Sequence, residues 1–463
     1  MARGASSHAE GVGAAAQGEA AHAEGNSTQA NGYSSHAEGI GAYANGQGSH
    51  AEGHGTTGLD ALYAHAEGNS TQANGQYSHA EGDRSIASGE GSHAEGIDTD
   101  ATAPGAHSEG YQSVASGNYS HAEGYITQAT GHYAHSEGYK AIASGGGSHA
   151  EGGNITKSGT VYATRTATKT GNAASQTVDG SLAKGLESHA EGVQTLAYNY
   201  ASHAEGHQTS AWENYSHAEG NLTSAEAESA HAEGQETVAM GVASHAEGYK
   251  NKSNKDYAHS EGQETVANGK GAHSEGHATT ASNDYAHAEG DNTTASGGMS
   301  HAEGSKTTAS GLGAHAEGVQ AQATGSGSHA EGYKAIASGL YAHAEGDETL
   351  ASGIDSHAEG YKSESSGDYA HAQGNDTTAS GESSTSEGEF TTAGGKASHA
   401  EGSSTTADGD YSHTEGLSSE VTVAGIAGHA EGEETVVSNR GAHAEGYQSE
   451  ASGIYSHAEG AGT

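Results

Sequence analysis

The chain has 463 residues, of which 75 are glycine and 32% are hydrophobic, and its formal net charge is −44. This acidic balance excludes nucleic acid and anionic membranes as partners, because both would be repelled. There is no cysteine to form disulfide bonds, and no apolar run reaches the roughly 18 residues of a membrane-spanning helix, so no membrane insertion is predicted.

A short repeat extends along the chain. The quartet His-Ala-Glu-Gly, or a variant with one change, recurs from His8 to His457 at intervals of 14 residues, with three exceptions. The longest exception is the interval of 40 residues from His149 to His189. Composition alone would indicate disorder, but a disordered chain has no reason to keep a fixed period. The period predicts a solenoid in which each coil contacts only its neighbours.

Each repeat divides into two strands with a turn after each. In the repeat 300–313, strand alternation places Ser300 and Ala302 on one face and His301 and Glu303 on the other. The second half repeats this alternation with small residues facing inward. A glycine ends the first strand, which indicates a turn with positive φ or a close backbone approach. We therefore predict parallel coils around a narrow core of Ala, Ser, Thr and Gly.

In chain order, the predicted coils occupy residues 1–152 and 188–463, with an irregular insertion at 153–187. One extra residue near Leu59 predicts a bulge or a widened turn in the first group of coils. Two extra residues between Leu417 and Gly428 predict another bulge in the second group.

The insertion alternates in a way that predicts a projecting β-hairpin with a turn at Gly171-Asn172. It is the least acidic region, so Arg165 and Lys169 are candidate contacts with a partner. The alternative is a tolerated loop insertion. Trp212, the only tryptophan, is predicted to point outward from a second strand and is a third candidate contact.

The two outward positions of the first strand vary least. In 31 aligned coils they hold 30 histidines, with Thr385 as the exception, and 30 glutamates, with Gln373 as the exception. We call these the histidine row and the glutamate row. A core of methyl and hydroxyl groups buries little apolar surface against the entropy of ordering the chain. We therefore expect another surface to cover the face that carries the two rows.

The repeat resembles a known family. Residues 328–339, Ser-His-Ala-Glu-Gly-Tyr-Lys-Ala-Ile-Ala-Ser-Gly, resemble the Ser-x-Ala-x-Gly-x-x unit in the YadA-like head of trimeric autotransporter adhesins. They are also similar to repeats of phage and prophage tail fibres. The resemblance implies an all-β, left-handed parallel β-roll solenoid of about 31 fourteen-residue coils that forms a homotrimeric rod. It also implies an extracellular location, on a cell surface or a virion.

In that family the two outward positions are apolar and meet at a threefold axis, whereas here they are polar. Carried over to this chain, the resemblance implies a trimer interface that includes His8, Glu10, His22, Glu24, His36, Glu38, His121, Glu123, His217, Glu219, His301, Glu303, His329, Glu331, His371, Glu387, His457 and Glu459.

Buried carboxylates need hydrogen-bond donors, and the imidazoles are the nearest ones. We expect imidazole-to-carboxylate hydrogen bonds between chains, with the glutamates favouring protonated histidine and raising its pKa. Trimer stability should then be greatest in mildly acidic to neutral solution. Gln373 and Thr385 lie in consecutive coils, which therefore lose one carboxylate and one imidazole. His371 is predicted to pair with Glu387 of the next coil; random drift of two neighbouring repeats is the alternative.

The predicted function is that of a non-enzymatic fibre or adhesin that extends or displays a binding surface on a phage tail or a bacterial surface. Its partners would be itself, with end-to-end stacking of open strand edges into filaments, and a cell-surface glycan or protein receptor. No catalytic residue, cofactor or metal site is predicted, because the motif recurs in every coil. The alternatives are a glycan-degrading tailspike, which would need two carboxylates in a cleft, and an ice-, mineral- or metal-binding repeat protein.

Overall fold

The computed structural model describes residues 1–58, 60–152 and 180–463, together with the backbone of 165–168 and 175–178. The chain divides into two compact units, Met1–Ser244 and His245–Thr463. Leu59, where the sequence predicted a bulge or a widened turn, lies outside the described residues. The described residues include no helix that could span a membrane.

Each unit contains one long strand per coil, which begins at the histidine row. In the first unit the long strands are His8–Glu10, His22–Asn26, His36–Ile40, His50–His54, His65–Asn69, His79–Asp83, His93–Ile97, His107–Tyr111, His121–Tyr125, His135–Tyr139, His149–Gly152, His189–Val193, His203–His207, His217–Asn221 and His231–Gln235. In the second unit they are His245–Tyr249, His259–Gln263, His273–His277, His287–Asp291, His301–Ser305, His315–Val319, His329–Tyr333, His343–Asp347, His357–Tyr361, His371–Asn375, Thr385–Glu389, His399–Ser403, His413–Leu417, His429–Glu433, His443–Tyr447 and His457–Ala461.

Two-residue short strands alternate with the long strands. Each starts seven residues after a long strand begins, as Thr308–Ala309 follows His301, except Leu182–Ala183, which comes after the insertion; among the described residues no short strand follows His457–Ala461. In both units long strands pair in parallel with the long strands of adjacent coils, and short strands pair with short strands. The register joins identical positions of successive coils, for example His301 to His315. The predicted all-β parallel solenoid of about 30 coils with 14-residue spacing is confirmed, and the described residues contain no helix. The left-handed winding and the trimer stay predictions.

The interior of each coil is made of small side chains, as predicted. Ser300, Ala302, Thr307 and Ala309 are all at most 1% exposed. The hydroxyl of Ser300 donates a hydrogen bond of 2.8 Å to the carbonyl oxygen of Gly297 in the preceding turn. The same bond recurs in many coils that have serine at this position. Serine therefore both fills the core and fixes the turn that leads into the long strand.

The turns combine glycine with other residues in left-handed conformations. Gly304, the glycine that follows Glu303 in the long strand, has a φ of 109°. A Cβ at Gly304 would overlap the carbonyl oxygen of Gly318 in the next coil. Met299 and Lys306 also have positive φ, of 54° and 57°. The sequence predicted the glycine turn but not the left-handed residues beside it.

The insertion leaves the parallel sheet of the first unit continuous, because His149 pairs directly with His189. Within the insertion, Arg165–Thr168 pairs antiparallel with Ser175–Val178. The pattern predicted a hairpin here; its turn at Gly171-Asn172 lies outside the described residues, and its projection from the coils stays a prediction.

Candidate functional site

The candidate site is the face of the long strands that carries the histidine and glutamate rows. Because inward and outward residues alternate, the imidazole and the carboxylate of one coil are two residues apart on the same face. Both are partly covered by neighbouring coils: the side chain of His301 is 35% exposed and that of Glu303 is 44% exposed. At the first and last coils, His8 and His457 are more exposed, at 61% and 56%.

The imidazoles of successive coils stack on one another. The ring centroids of His301 and His315 are 4.8 Å apart with 15° between their planes, and those of His315 and His329 are 4.7 Å apart. The first unit has the same arrangement, for example 4.7 Å between His22 and His36. This spacing equals the separation of paired strands, so the parallel register itself produces the stack.

In most coils the imidazole faces the carboxylate of its own coil at a distance longer than that of a hydrogen bond. Where the two groups are within 4.0 Å, the distance from histidine Nε2 to glutamate Oε2 lies between 3.5 Å, as at His189, and 4.0 Å at His50. The Nε2 atoms of most row histidines are buried and have no hydrogen-bond partner within the described residues, among them His22, His36, His121, His217, His301, His329 and His371. Buried polar atoms usually have a partner. The rows therefore present unsatisfied groups in coil after coil.

The pKa of ten histidines in the row is lowered. Burial is the largest cause, followed by the imidazoles of adjacent coils, while nearby glutamates oppose the effect only in part. The pKa is lowered at His50, His79, His107, His217, His259, His287, His301, His329, His357 and His429. At His217 it falls to about 4. The glutamates act in the predicted direction and raise the pKa at these ten positions, but burial and the adjacent imidazoles lower it by more, so the net shift in the single chain is downward. The predicted hydrogen bonds and histidine protonation between chains stay predictions.

The two substituted positions of the rows do not compensate each other within the chain. No contact between His371 and Glu387 is present among the described residues. Instead, the amide of Gln373 donates a hydrogen bond of 3.3 Å to Glu359 of the preceding coil. Parallel register aligns His371 with Thr385 and Gln373 with Glu387. The pairing of His371 with Glu387 stays a prediction.

Comparison with known families agrees with this architecture. The sequence model of the YadA head domain repeat (2 copies) matches residues 80–108, 232–250, 288–314 and 372–398. The coils outside these ranges have the same strand positions and the same parallel register. The chain carries YadA-like head repeats. No curated protein matches it.

Among the YadA-like repeats of this chain, a few groups bring potential metal ligands close together. Three ligand atoms lie within 4.8 Å of one another at four places in the described residues. The groups are His65, Glu67 and His79; His287, Glu289 and His301; His429, Glu431 and His443; and Glu387, His399 and Glu401. The sequence did not distinguish these coils from the others, because the same residue types recur throughout.

Trp212 is not the exposed side chain that the sequence predicted. It is 2% exposed and packs against Leu182 and Leu196, and its ring centroid lies 5.4 Å from that of Tyr198. Leu182 and Leu196 occupy the same outward position in adjacent coils, in register with Ile142. This row of large apolar residues could have indicated a second cluster outside the alanine core. Burial removes the basis for Trp212 as a partner contact.

The two basic candidates lie in the insertion. Only the backbone of Arg165 belongs to the described residues, and Lys169 lies outside them. Their contact with a partner stays a prediction.

Proposed function

We propose that this chain is a non-enzymatic structural fibre of the adhesin type, assembled as a homotrimer through the histidine and glutamate rows. The YadA-like repeats and the parallel solenoid support an adhesin-like fibre. The trimer is proposed because the YadA-like adhesin family suggests it, and because the two rows hardly vary between coils although they lie on the outward face.

One observation carries the proposal. The Nε2 atoms of many row histidines, among them His301 and His329, are buried and lack hydrogen-bond partners within the described residues, although the imidazoles are still about one-third exposed, as at His329 with 37%. A face with unsatisfied polar groups in successive coils is costly for an isolated chain. Close approach of identical faces would allow the side chains to turn and donate hydrogen bonds to carboxylates of the other chains.

The assembled fibre would extend or display a surface outside the cell, on a bacterium or on a phage tail. Its partner would be a cell-surface glycan or protein, because the acidic surface repels nucleic acid and anionic membranes. Immunolabelling of intact producing cells and of purified virions tests this location; label found only after lysis would contradict it.

Native mass measurement tests the assembly. We expect three times the mass of the chain at neutral pH, with EDTA present. Replacing three row histidines together, His217→Asp, His329→Asp and His357→Asp, adds carboxylates beside the existing glutamates, and we expect the trimer to dissociate because like charges meet on the shared face.

The matched control adds the same three charges to the outward positions of short strands, in Gln128→Asp, Thr308→Asp and Gln322→Asp. This variant should remain trimeric. A wild-type chain that is monomeric at all concentrations, or equal dissociation of the two variants, would show that the rows do not join the chains.

A further inference from the structure

Three of the ligand groups have the same composition and the same position in the repeat. Each consists of the histidine and the glutamate of one coil and the histidine of the next coil, with the ligand atoms within 4.8 Å of one another. One lies in the first unit (His65, Glu67 and His79), and two lie in the second unit (His287, Glu289 and His301; His429, Glu431 and His443). We infer that these three groups bind divalent transition-metal ions of the zinc class.

A second observation points to a ligand at the same places. The Nε2 atoms of all six histidines in these groups are buried and have no hydrogen-bond partner within the described residues. A buried imidazole nitrogen without a partner loses the hydrogen bonds that it made to water in the unfolded chain. Coordination of a metal ion by the neutral imidazole would satisfy that nitrogen.

In the two groups of the second unit, the distances within one coil suit two ligands of one ion better than a hydrogen bond. Nε2 and Oε2 are 3.8 Å apart at His287 and Glu289, and 3.7 Å apart at His429 and Glu431. Ligands at about 2.0 to 2.2 Å from a tetrahedral zinc ion are about 3.4 Å from each other. The rings of His287 and His301 are stacked 4.6 Å apart. Because the lone pair of Nε2 lies in the ring plane, binding of an ion requires one imidazole of each group to rotate out of the stack until its Nε2 points at the ion.

The ligand types select the class of ion. Two imidazoles and one carboxylate suit zinc, nickel, copper or cobalt, whereas calcium and magnesium prefer sites made of oxygen ligands. Three protein ligands leave a fourth tetrahedral position for water or for a group from another chain. Because the glutamate row continues on both sides of each group, its negative charge also raises the local concentration of cations.

This inference names a ligand of the same face on which the proposed function rests, but it does not require the trimer. Each group is complete within one chain. Metal ions at three coils would reduce the repulsion between the glutamates and would neutralise part of the face before chains associate.

The test uses the full chain, stripped with EDTA, dialysed against Zn²⁺ in a buffer with a weak competing chelator, and measured for bound zinc by plasma mass spectrometry. We expect about three tightly bound ions per chain, from the count of groups. Removing one imidazole from each group, in His79→Gln, His301→Gln and His443→Gln together, should abolish this tight binding. Loading with Co²⁺ should give the strong visible absorption of tetrahedral cobalt in the wild type only.

The matched control removes three imidazoles of the same row outside the groups, in His107→Gln, His217→Gln and His357→Gln. It should retain all the tightly bound zinc. Fewer than one tightly bound zinc ion per wild-type chain would overturn the inference. An equal loss of bound zinc in the two variants would also overturn it. If circular dichroism shows that the first variant does not fold, Glu67→Gln, Glu289→Gln and Glu431→Gln replace it with the same expectation.

The two proposals fail separately. A trimer that forms in EDTA and binds no zinc would overturn the metal groups alone. A monomer that binds about three zinc ions would overturn the trimer alone.

Discussion

At the scale of single residues, backbone conformation divides the turn positions into two kinds. Gly304 has a φ of 109°, which lies well outside the left-handed helical region that other residues can reach, and it lies against the backbone of the next coil. Gly313 has a φ of 62°, and a Cβ there would have no atom within 4 Å. Met299 adopts nearly the same conformation as Gly313. Glycine is therefore essential at the first position and replaceable at the second.

This difference predicts the effect of alanine at the two glycines. Gly304→Ala should lower the free energy of unfolding by at least about 1 to 3 kcal/mol, because the strained φ and the backbone overlap must both be relieved. Gly313→Ala should cost only about 1 kcal/mol, the penalty of a left-handed alanine. Denaturant unfolding of the two variants measures both values. Equal losses would contradict the assignment of the close approach to Gly304.

A β-branched residue in a left-handed turn offers the opposite test. Ile126 has a φ of 58°, while Asn292 occupies the equivalent turn of another coil at 56°. Ile126→Asn should raise the free energy of unfolding by up to about 1 kcal/mol, because asparagine tolerates this region and isoleucine does not. In the control Ile142→Asn, the changed side chain packs against the Leu182, Leu196 and Trp212 cluster, so stability should fall. A loss in both variants would contradict the argument.

At the scale of elements, the coil is the unit that can be added or removed. Long strands pair only with equivalent positions of the adjacent coils, as in Glu303 with Glu317, and each short strand begins at a fixed distance from the long strand before it. Interactions are thus local, as in other repeat proteins. The two rows depend on this register, since a shift by half a repeat would move them to the other side of the coil.

Deletions within the second unit test this dependence. Removing residues 308–321 takes out 14 residues, and the coils on either side should join with their rows in register. Removing only 308–314 would place His315 where Thr308 stands and would move the later rows to the face of the short strands. We expect the first deletion to keep the melting temperature close to that of the full chain, and the second to lower it clearly. Similar melting temperatures would show that register is not important.

At the scale of the whole molecule, the same electrostatic arrangement is repeated along each unit. The formal net charge of −44 at pH 7 counts histidine as neutral. The pKa is lowered at ten positions of the histidine row, His217 among them, which favours the neutral imidazole at that pH. At these ten positions the imidazoles therefore do not offset the carboxylates in the single chain. The charge must be reduced by other means, such as bound cations, salt or contact with other chains.

Acid should destabilise the chain. The pKa of His217 is about 4 in the folded chain against 6.5 ordinarily, and the pKa values of His107, His329 and His357 are also lowered. A lowered folded pKa means that the unfolded chain binds protons first, so the stabilisation is complete above pH 6.5 and is lost as pH falls toward 4. The denaturant concentration at the unfolding midpoint, measured from pH 8 to pH 4, should therefore decrease once the pH is below about 6.5.

The control replaces these four histidines with glutamine, which cannot titrate. The decrease of the denaturant midpoint on acidification should then become less steep. A midpoint that rises on acidification to pH 5 would contradict the assignment of the cause to the buried imidazoles. It would favour instead the original expectation of protonated histidines held by glutamate.

Much of the fold followed from the sequence. The period gave the parallel register, and alternation correctly placed Ser300 and Ala302 inside with His301 and Glu303 outside. The site was predicted only in part. Its rows were identified, but not the stacking that lowers the histidine pKa, nor the burial of Trp212. Both depend on neighbours that lie one coil away, and a pattern within one repeat does not reveal the distances between coils.

The sequence by itself determined the strand pair, the small-residue core and the constant polar face, because strand alternation and a fixed repeat leave few ways to arrange the side chains. The tertiary structure alone decided how those side chains interact. Coils spaced at the separation of paired strands place each imidazole about 4.7 Å from the next, as at His315 and His329. At ten positions of the row, His329 among them, burial and repulsion between adjacent imidazoles outweigh the attraction of glutamate and lower the pKa, which favours neutral histidine where the sequence suggested a charged one.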